Sequence, residues 1–222
     1  MRKFAGALAA LFLLCAGAAH AETLRGPARI IDGDSLAIAG RPVRLLGIDA
    51  PELAQLCEDE LGRSYACGKA AQRHLARLIA GRNLLCRGEV EDPYGRLLAR
   101  CAVGSVDIAR QMVLDGQAVV FVKFSDEFAL EEELARKAGK GLWAGRFELP
   151  WEFRAHAWAA SAEVAPDPGC PIKGNINRRG ARIYHLPGDP DYARTRIDQA
   201  KGERWFCDEA EAVRAGWRPA RH

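Results

Sequence analysis

The stretch I-D-G-D-S-L-A-I-A-G-R-P-V-R-L-L-G-I-D-A-P-E, residues 31–52, decides how this chain is read. Two short β-type runs, Leu36–Ile38 and Val43–Ile48, flank a turn at Gly40, and an acidic loop follows. Asp34 shares strand parity with Leu36 and Ile38, so a carboxylate continues a row that is otherwise apolar. That placement is costly unless the residue lies at the mouth of a barrel or is compensated by a cation. Arg44 sits inside V-R-L-L-G-I, where an arginine on a covered face needs a partner. Asp49 and Glu52 flank Ala50-Pro51, and a second turn, Asp92-Pro-Tyr-Gly-Arg96, carries a second arginine.

Working outward, Ala28–Ile31 reads as a further strand, and residues 49–67 as a long loop. Gly68–Ile79 places Ala70, Ala71, Leu75, Leu78 and Ile79 at helical spacing and stops at Gly81. Asn83–Arg87 and Leu97–Val103 are expected strands around the Asp92–Arg96 turn, and Asp107–Leu114 a helix ended by Gly116. Ala118–Phe124 reads as a strand. Asp126–Ala138 reads as a helix whose acidic residues come early and basic ones late, which suits the helix dipole. The expected fold is α+β, mainly β: a five-stranded OB-fold barrel with three helices. A small C-terminal module joined by a disulfide follows it. The expected division is 1–21 signal peptide, 22–155 barrel domain, 156–169 linker, marked by Ala-rich sequence and Pro166-Asp-Pro168-Gly169, and 170–222 module.

The start of the chain sets the compartment. A basic Met1-Arg2-Lys3, an apolar Phe4–Ala19 run and the small-residue Ala19-His20-Ala21 site predict an export signal, with a mature protein from Glu22. The run is too short and too Gly-interrupted for a membrane span. At Cys15 a lipid anchor would want a small preceding residue, where Leu14 stands. Loss of 1–21 removes Arg2 and Lys3 from 32 basic residues and none of 29 acidic ones, leaving a net charge of +1. Any phosphate recognition must therefore come from placed arginines and not from a broad basic field.

Six cysteines remain in an exported chain, an even number that favours disulfides. Cys86 and Cys101 flank the Asp92–Arg96 turn nearly symmetrically, Cys57 and Cys67 enclose residues 58–66, and Cys170 and Cys207 bracket the tail. No C-x-x-C pair supports zinc. In the tail, His185 with Cys170 and Cys207 is the one alternative metal set, against a disulfide with a packed histidine.

Hard oxygen donors select Ca2+ or Mg2+, and loop carboxylates tolerate the larger Ca2+ shell. Asp34 and Asp49, with the Ala50 carbonyl, are the expected metal ligands. Arg44 and Arg96 can clamp a phosphodiester and stabilise a phosphorane-like state, and Glu52 can orient or deprotonate a water.

The three motifs I-D-G-D-S (31–35), V-R-L-L-G-I-D-A-P-E (43–52) and D-P-Y-G-R (92–96), with G-L-W at 141–143, resemble the thermonucleases, the staphylococcal nuclease family. The likeness covers about Pro27 to Phe153. It implies Ca2+-dependent hydrolysis of DNA and RNA to 3′-phosphate products, with single-stranded or loosened substrate preferred. It implies catalytic roles for Arg44, Glu52 and Arg96, a metal site at Asp34, Asp49 and Ala50, and a nucleotide contact at Tyr94. Phe124 stands near a nucleotide-packing position of the family, so base stacking there is expected and a phenolic hydrogen bond is not. The cysteine pattern and the tail sequences I-K-G-N-I, R-I-Y-H-L-P-G and W-F-C-D-E-A resemble exported bacterial members. A periplasmic or secreted monomer follows, with no stable membrane insertion. The rival expectation is a non-catalytic OB-fold nucleic-acid binder or envelope interaction protein.

Overall fold

The computed structural model describes residues 21–123, 125–163, 165–167 and 169–220. The expected signal segment, apart from Ala21, and Phe124 therefore lie outside the described residues. The chain opens with four strands: β1 (Glu22–Gly26), β2 (Ala28–Ile30), β3 (Ser35–Ile38) and β4 (Arg41–Leu45). Short β5 (Ile48–Asp49), β6 (Cys57–Glu58) and β7 (Ser64–Tyr65) precede α1 (Cys67–Ile79). Then come the long hairpin β8 (Leu84–Glu91) and β9 (Leu97–Val103), β10 (Val106–Asp107), α2 (Ile108–Leu114), β11 (Val119–Val120) and α3 (Ala129–Lys137).

The main sheet is a curled, mixed one in the order β1-β8-β9-β4-β3-β2, with β10 added to β9. All its pairings are antiparallel except β4 with β9, where Arg44 stands beside Leu98. β3 is buried on both faces, all four of its residues being buried. Its parity is therefore not what buries Asp34, since Ser35 and Ala37 are as buried as Leu36 and Ile38. Leu36, Val43, Leu45, Leu75, Leu84, Leu97, Ile108 and Met112 form one continuous core beneath α1 and α2.

Two expectations change. The sheet carries seven strands where five were expected, since Glu22–Gly26 adds to the edge of β8 and Val106–Asp107 to β9. The expected strand 118–124 shrinks to Val119–Val120, which pairs with β5. Beyond it the chain turns: the Phe121 amide donates to the Gly47 carbonyl and that of Ser125 to the Phe121 carbonyl, leading into α3.

A fourth helix, α4 (Pro150–Ala162), starts with proline in its first turn and continues through residues expected as linker. Proline there is favourable because its missing N–H has no helical partner to lose. The tail follows as β12 (Ile172–Ile176), β13 (Arg182–His185), β14 (Arg204–Phe206), α5 (Glu209–Arg214) and β15 (Arg218–Pro219). Its strands form a sheet in the order β14-β12-β13-β15. Ile172, Tyr184, Phe206, Ala212 and Trp217 make a core of its own, against which Trp158 of α4 packs. Among the described residues no helix is long and apolar enough to cross a membrane.

Disulfides join Cys57 to Cys67, Cys86 to Cys101 and Cys170 to Cys207. Cys170 and Cys207 are thus not metal ligands, and His185 Nε2 lies 3.0 Å from Asn175 Oδ1. Cys86 and Cys101 are direct cross-strand partners between β8 and β9 and lie inside the main core. Closing a loop of sequence separation 15 is worth about 3 kcal/mol in chain entropy. Replacing both cysteines with alanine is expected to lower the unfolding free energy by about 2–4 kcal/mol in urea titration. Denatured protein lacking residues 1–21 should show no free thiol, and a reactive Cys86 or Cys101 would contradict the pairing.

Candidate active site

The acidic groups are set by backbone geometry before any charge compensates them. Asp32 Oδ1 accepts the amides of Asp34 at 2.9 Å and Ser35 at 2.7 Å, which fixes the turn entering β3. Gly33 is required there: a Cβ would fall 2.6 Å from that of Ala50 and 2.9 Å from that of Ala71. The turn thus presses against both the acidic loop and α1. On the other side, a Cβ at Gly68 would sit 1.8 Å from the Glu52 carbonyl oxygen, so the start of α1 lies directly against the backbone of Glu52. Gln55 completes the clamp. Its side-chain oxygen accepts the Glu52 amide at 3.2 Å and its side-chain nitrogen donates to the Glu148 carbonyl at 2.7 Å. Asp49 is held on β5 opposite Val119.

Within that frame Asp34, 3% exposed, and Asp49, fully buried, share one guanidinium. Arg44 Nη1 donates to Asp34 Oδ1 and Nη2 to Asp49 Oδ1, each at 2.8 Å. Asp34 also accepts the Ser35 hydroxyl at 2.8 Å and the Ala50 amide at 3.0 Å. Burial works against the Asp34 carboxylate, but Arg44, the Ala50 amide and Arg96 outweigh it and hold its pKa below the usual range. For Asp32 the Asp34 amide and the Arg44 charge are too weak to offset the opposing causes. Desolvation first, then the charges of Asp34 and Glu52, push it up to about 8. Burial also raises Glu52, against the pull of Arg154 and with the push of Asp34 and Asp49.

Arg96 comes in from the β8–β9 turn. Its Nε donates to Asp92 Oδ2 at 2.6 Å and its Nη1 reaches Ser35 Oγ at 3.4 Å, next to Asp34. The Asp92 side chain also accepts the Tyr94 and Arg96 amides, so one carboxylate shapes the turn and aims its arginine. The Arg96 guanidinium lies 5.2 Å from the centre of the Tyr94 ring. Asp34, Arg44, Asp49, the Ala50 amide, Glu52 and Arg96 thus meet in one cluster beside Tyr94.

Sequence reasoning missed one member. Arg154, from α4, donates through Nη1 to Asp49 Oδ1 at 3.0 Å and Glu52 Oε1 at 2.7 Å, and through Nη2 to Asp49 Oδ2 at 2.8 Å. It is the only described link that joins Glu52 to Asp49. The available signal was Pro150 as a helix start with no breaker before Ala162, but spacing does not show which residue of such a helix faces a distant loop. Phe121 stacks on Trp151 of the same helix, with ring centres 5.5 Å apart.

The donor set suits a hard divalent cation: two carboxylates, one in the turn before β3 and one on β5, that already converge on one cationic group. Among the described residues no three acidic, histidine or cysteine side chains group to hold a metal.

Comparison with known proteins adds an independent line. The family model "Staphylococcal nuclease homologue" matches residues 42–145, and a second, "ArfC", matches 151–219. The succinoglycan biosynthesis protein ExoI of Rhizobium meliloti (strain 1021) is 36% identical over 171 residues, 74% of this chain and 85% of that protein. A probable staphylococcal-like nuclease, CAN4, of Oryza sativa subsp. japonica is 36% identical over 122 residues, 54% of this chain and 23% of that one. The probable endonuclease LCL3 of Saccharomyces cerevisiae (strain RM11-1a) is 33% identical over 127 residues, 51% of this chain and 45% of that one. The chain thus spans most of ExoI but less than half the length of these two named nucleases. The nuclease-family match begins within β4 and runs through β11 and α1–α3, and it implies an OB-fold for the curled sheet that these strands help build. With the three motifs on one cluster and these relatives, the chain belongs to the staphylococcal nuclease-like, or thermonuclease, family.

Proposed function

We propose that this protein is an exported, Ca2+-dependent nuclease that hydrolyses DNA and RNA phosphodiesters to 3′-phosphate products. One observation carries the reading: two arginines and three carboxylates from four separate segments meet at one point of the sheet rim. Asp34 and Asp49, with the Ala50 carbonyl, would hold the ion, whose charge polarises a phosphoryl oxygen when bound. Arg44 bonds Asp34 directly and Arg96 reaches it through Ser35, so two guanidinium groups lie near one carboxylate, which suits a clamp on the non-bridging oxygens. Planar guanidinium forks are strongest against the spread charge of the five-coordinate state. Glu52, its pKa raised by burial, takes a proton from water. The water oxygen bonds to phosphorus, the bond to the 5′ oxygen breaks, and a proton from solvent completes the 5′ hydroxyl.

A site on a narrow rim favours single-stranded or locally opened substrate, which a monomer can hold without wrapping a duplex. Tyr94, 42% exposed beside Arg96, is the proposed contact to a nucleotide phosphate, and Phe124 is the proposed stacking residue. The fate of the exported chain is periplasmic or secreted. A non-catalytic binder of the same fold would have no need of five matched ionisable groups, and decay of that role would be expected to remove some.

Two experiments test the reading. Digestion of heat-denatured DNA, duplex DNA and RNA across a Ca2+ titration should show turnover that chelation abolishes, with 3′-phosphate ends. Metal-independent cleavage would contradict the proposed ligands. Glu52→Gln and Arg96→Ala should each lower kcat by at least about a hundredfold, the scale for loss of a general base or an oxyanion donor. Rates like the parent's in either variant would remove that residue from the chemistry.

A further inference from the structure

The two halves of the cluster are both contacted by the C-terminal part of the chain, and with complementary charge. On the acidic half, Arg154 takes both oxygens of Asp49 and one of Glu52. On the basic half, Glu209 of α5 accepts the Tyr184 hydroxyl at 2.8 Å and faces Tyr94 and Arg96; burial raises its pKa, against the pull of Tyr184, Tyr94 and the Arg96 charge. A cation stands on the proposed ion ligands. A carboxyl group stands against the proposed phosphate contacts.

Neither is a loosely tethered surface pair. Arg154 is delivered by a helix anchored at one end by the Trp151–Phe121 stack and at the other by Trp158 in the tail core. Gly188 packs on the same helix, where a Cβ would meet Phe153 at 3.4 Å and Ala157 at 3.5 Å. Glu209 opens α5, whose first turn is capped by Asp208 accepting the Glu211 amide at 2.6 Å. Its partner Tyr184 is buried in the tail core. Both groups are therefore positioned by rigid elements.

We propose that the C-terminal extension occupies its own active site, with Arg154 in competition with the divalent ion for Asp49 and Glu209 in competition with a substrate phosphate for Tyr94 and Arg96. This rests on the nuclease reading for the roles of those groups. The extension is then an intramolecular inhibitor, and activation requires α4 and α5 to release the site. A bidentate guanidinium on a buried carboxylate is a strong, geometrically specific contact, so its removal should be felt first in ion affinity.

The test uses the full chain and reads binding apart from turnover. Calorimetric Ca2+ titration of Arg154→Gln should show affinity about tenfold or more tighter than the parent, the loss of one charge-assisted pair. Glu209→Gln should tighten binding of a short single-stranded oligodeoxynucleotide carrying non-hydrolysable phosphorothioate links by about tenfold. Unchanged or weaker affinity in either titration overturns the proposal for that residue and makes it part of the binding machinery. Should Arg154→Gln fail to fold by circular dichroism, Arg154→Lys, which keeps the charge but loses the fork, is expected to tighten Ca2+ by a smaller factor. No gain there overturns the proposal equally. Affinities that rise in forms that never hydrolyse any substrate would leave the self-occupied site standing and remove the nuclease reading. Hydrolysis by the parent with no gain in any variant would do the reverse.

Discussion

Asp34 and Asp49 lie close enough to share a single guanidinium, and the arrangement of the whole rim follows from that constraint. Two buried carboxylates repel each other and lose their hydration, so they stay ionised together only where cations and donors face them. Arg44 supplies the first cation from within a strand, held there by its pairing to Ser35 on one side and Leu98 on the other. The parallel pairing of β4 with β9 sets where that arginine can reach. It also brings Arg96, at the start of β9, to Ser35 Oγ. Ionic geometry and sheet topology are thus one requirement.

The small residues around the cluster serve the same end. Gly33, Ala50 and Ala71 meet where any larger side chain would push the Asp32–Asp34 turn away from the acidic loop. Gly68 lets α1 lie on the Glu52 carbonyl. The Cys57–Cys67 disulfide then closes the loop that Glu52 begins, and Gln55 ties that loop to the entry of α4. A carboxylate raised by burial, such as Glu52, needs this kind of fixed backbone, because a mobile loop would carry it into water and return its ordinary pKa.

Much of this was legible along the chain because it is local. The turns at Gly40 and at Asp92–Arg96, the strands beside them, and α1, α2 and α3 all declare themselves within a dozen residues by periodicity and turn chemistry. The cysteine pairs are those that spacing and symmetry about a turn point to. What was not legible depends on distant contacts. The β1 edge strand forms because β8 offers it a partner, and Val119–Val120 stops short because the chain must turn toward α3. α4 reads as a linker since its apolar residues lie all round it and no single stripe stands out. Packing between the sheet and the tail explains that pattern. Arg154 is invisible for the same reason: its role lies in a loop about a hundred residues earlier, a distance that no helical periodicity encodes.

The charges also explain how a resident arginine and a divalent ion can exchange at one place. Asp34, Asp49 and Glu52 together carry three negative charges and Arg44 with Arg154 returns two, while Arg96 is matched by its own partner Asp92. The cluster is therefore one positive charge short, and the unbalanced charges of Asp34 and Glu52 add to the burial that raises Asp32 to about 8. If a divalent ion replaces Arg154, the three carboxylates are balanced by the ion and Arg44. If both stay, the balance tips to an excess positive charge buried beside the ion, which is unfavourable at close range. Electrostatics thus favours exchange over joint occupancy. What opposes it is the packing of α4, through Trp151 on Phe121 and Trp158 in the tail core. The balance between one ion's charge and one helix's contacts sets how readily such a site would open.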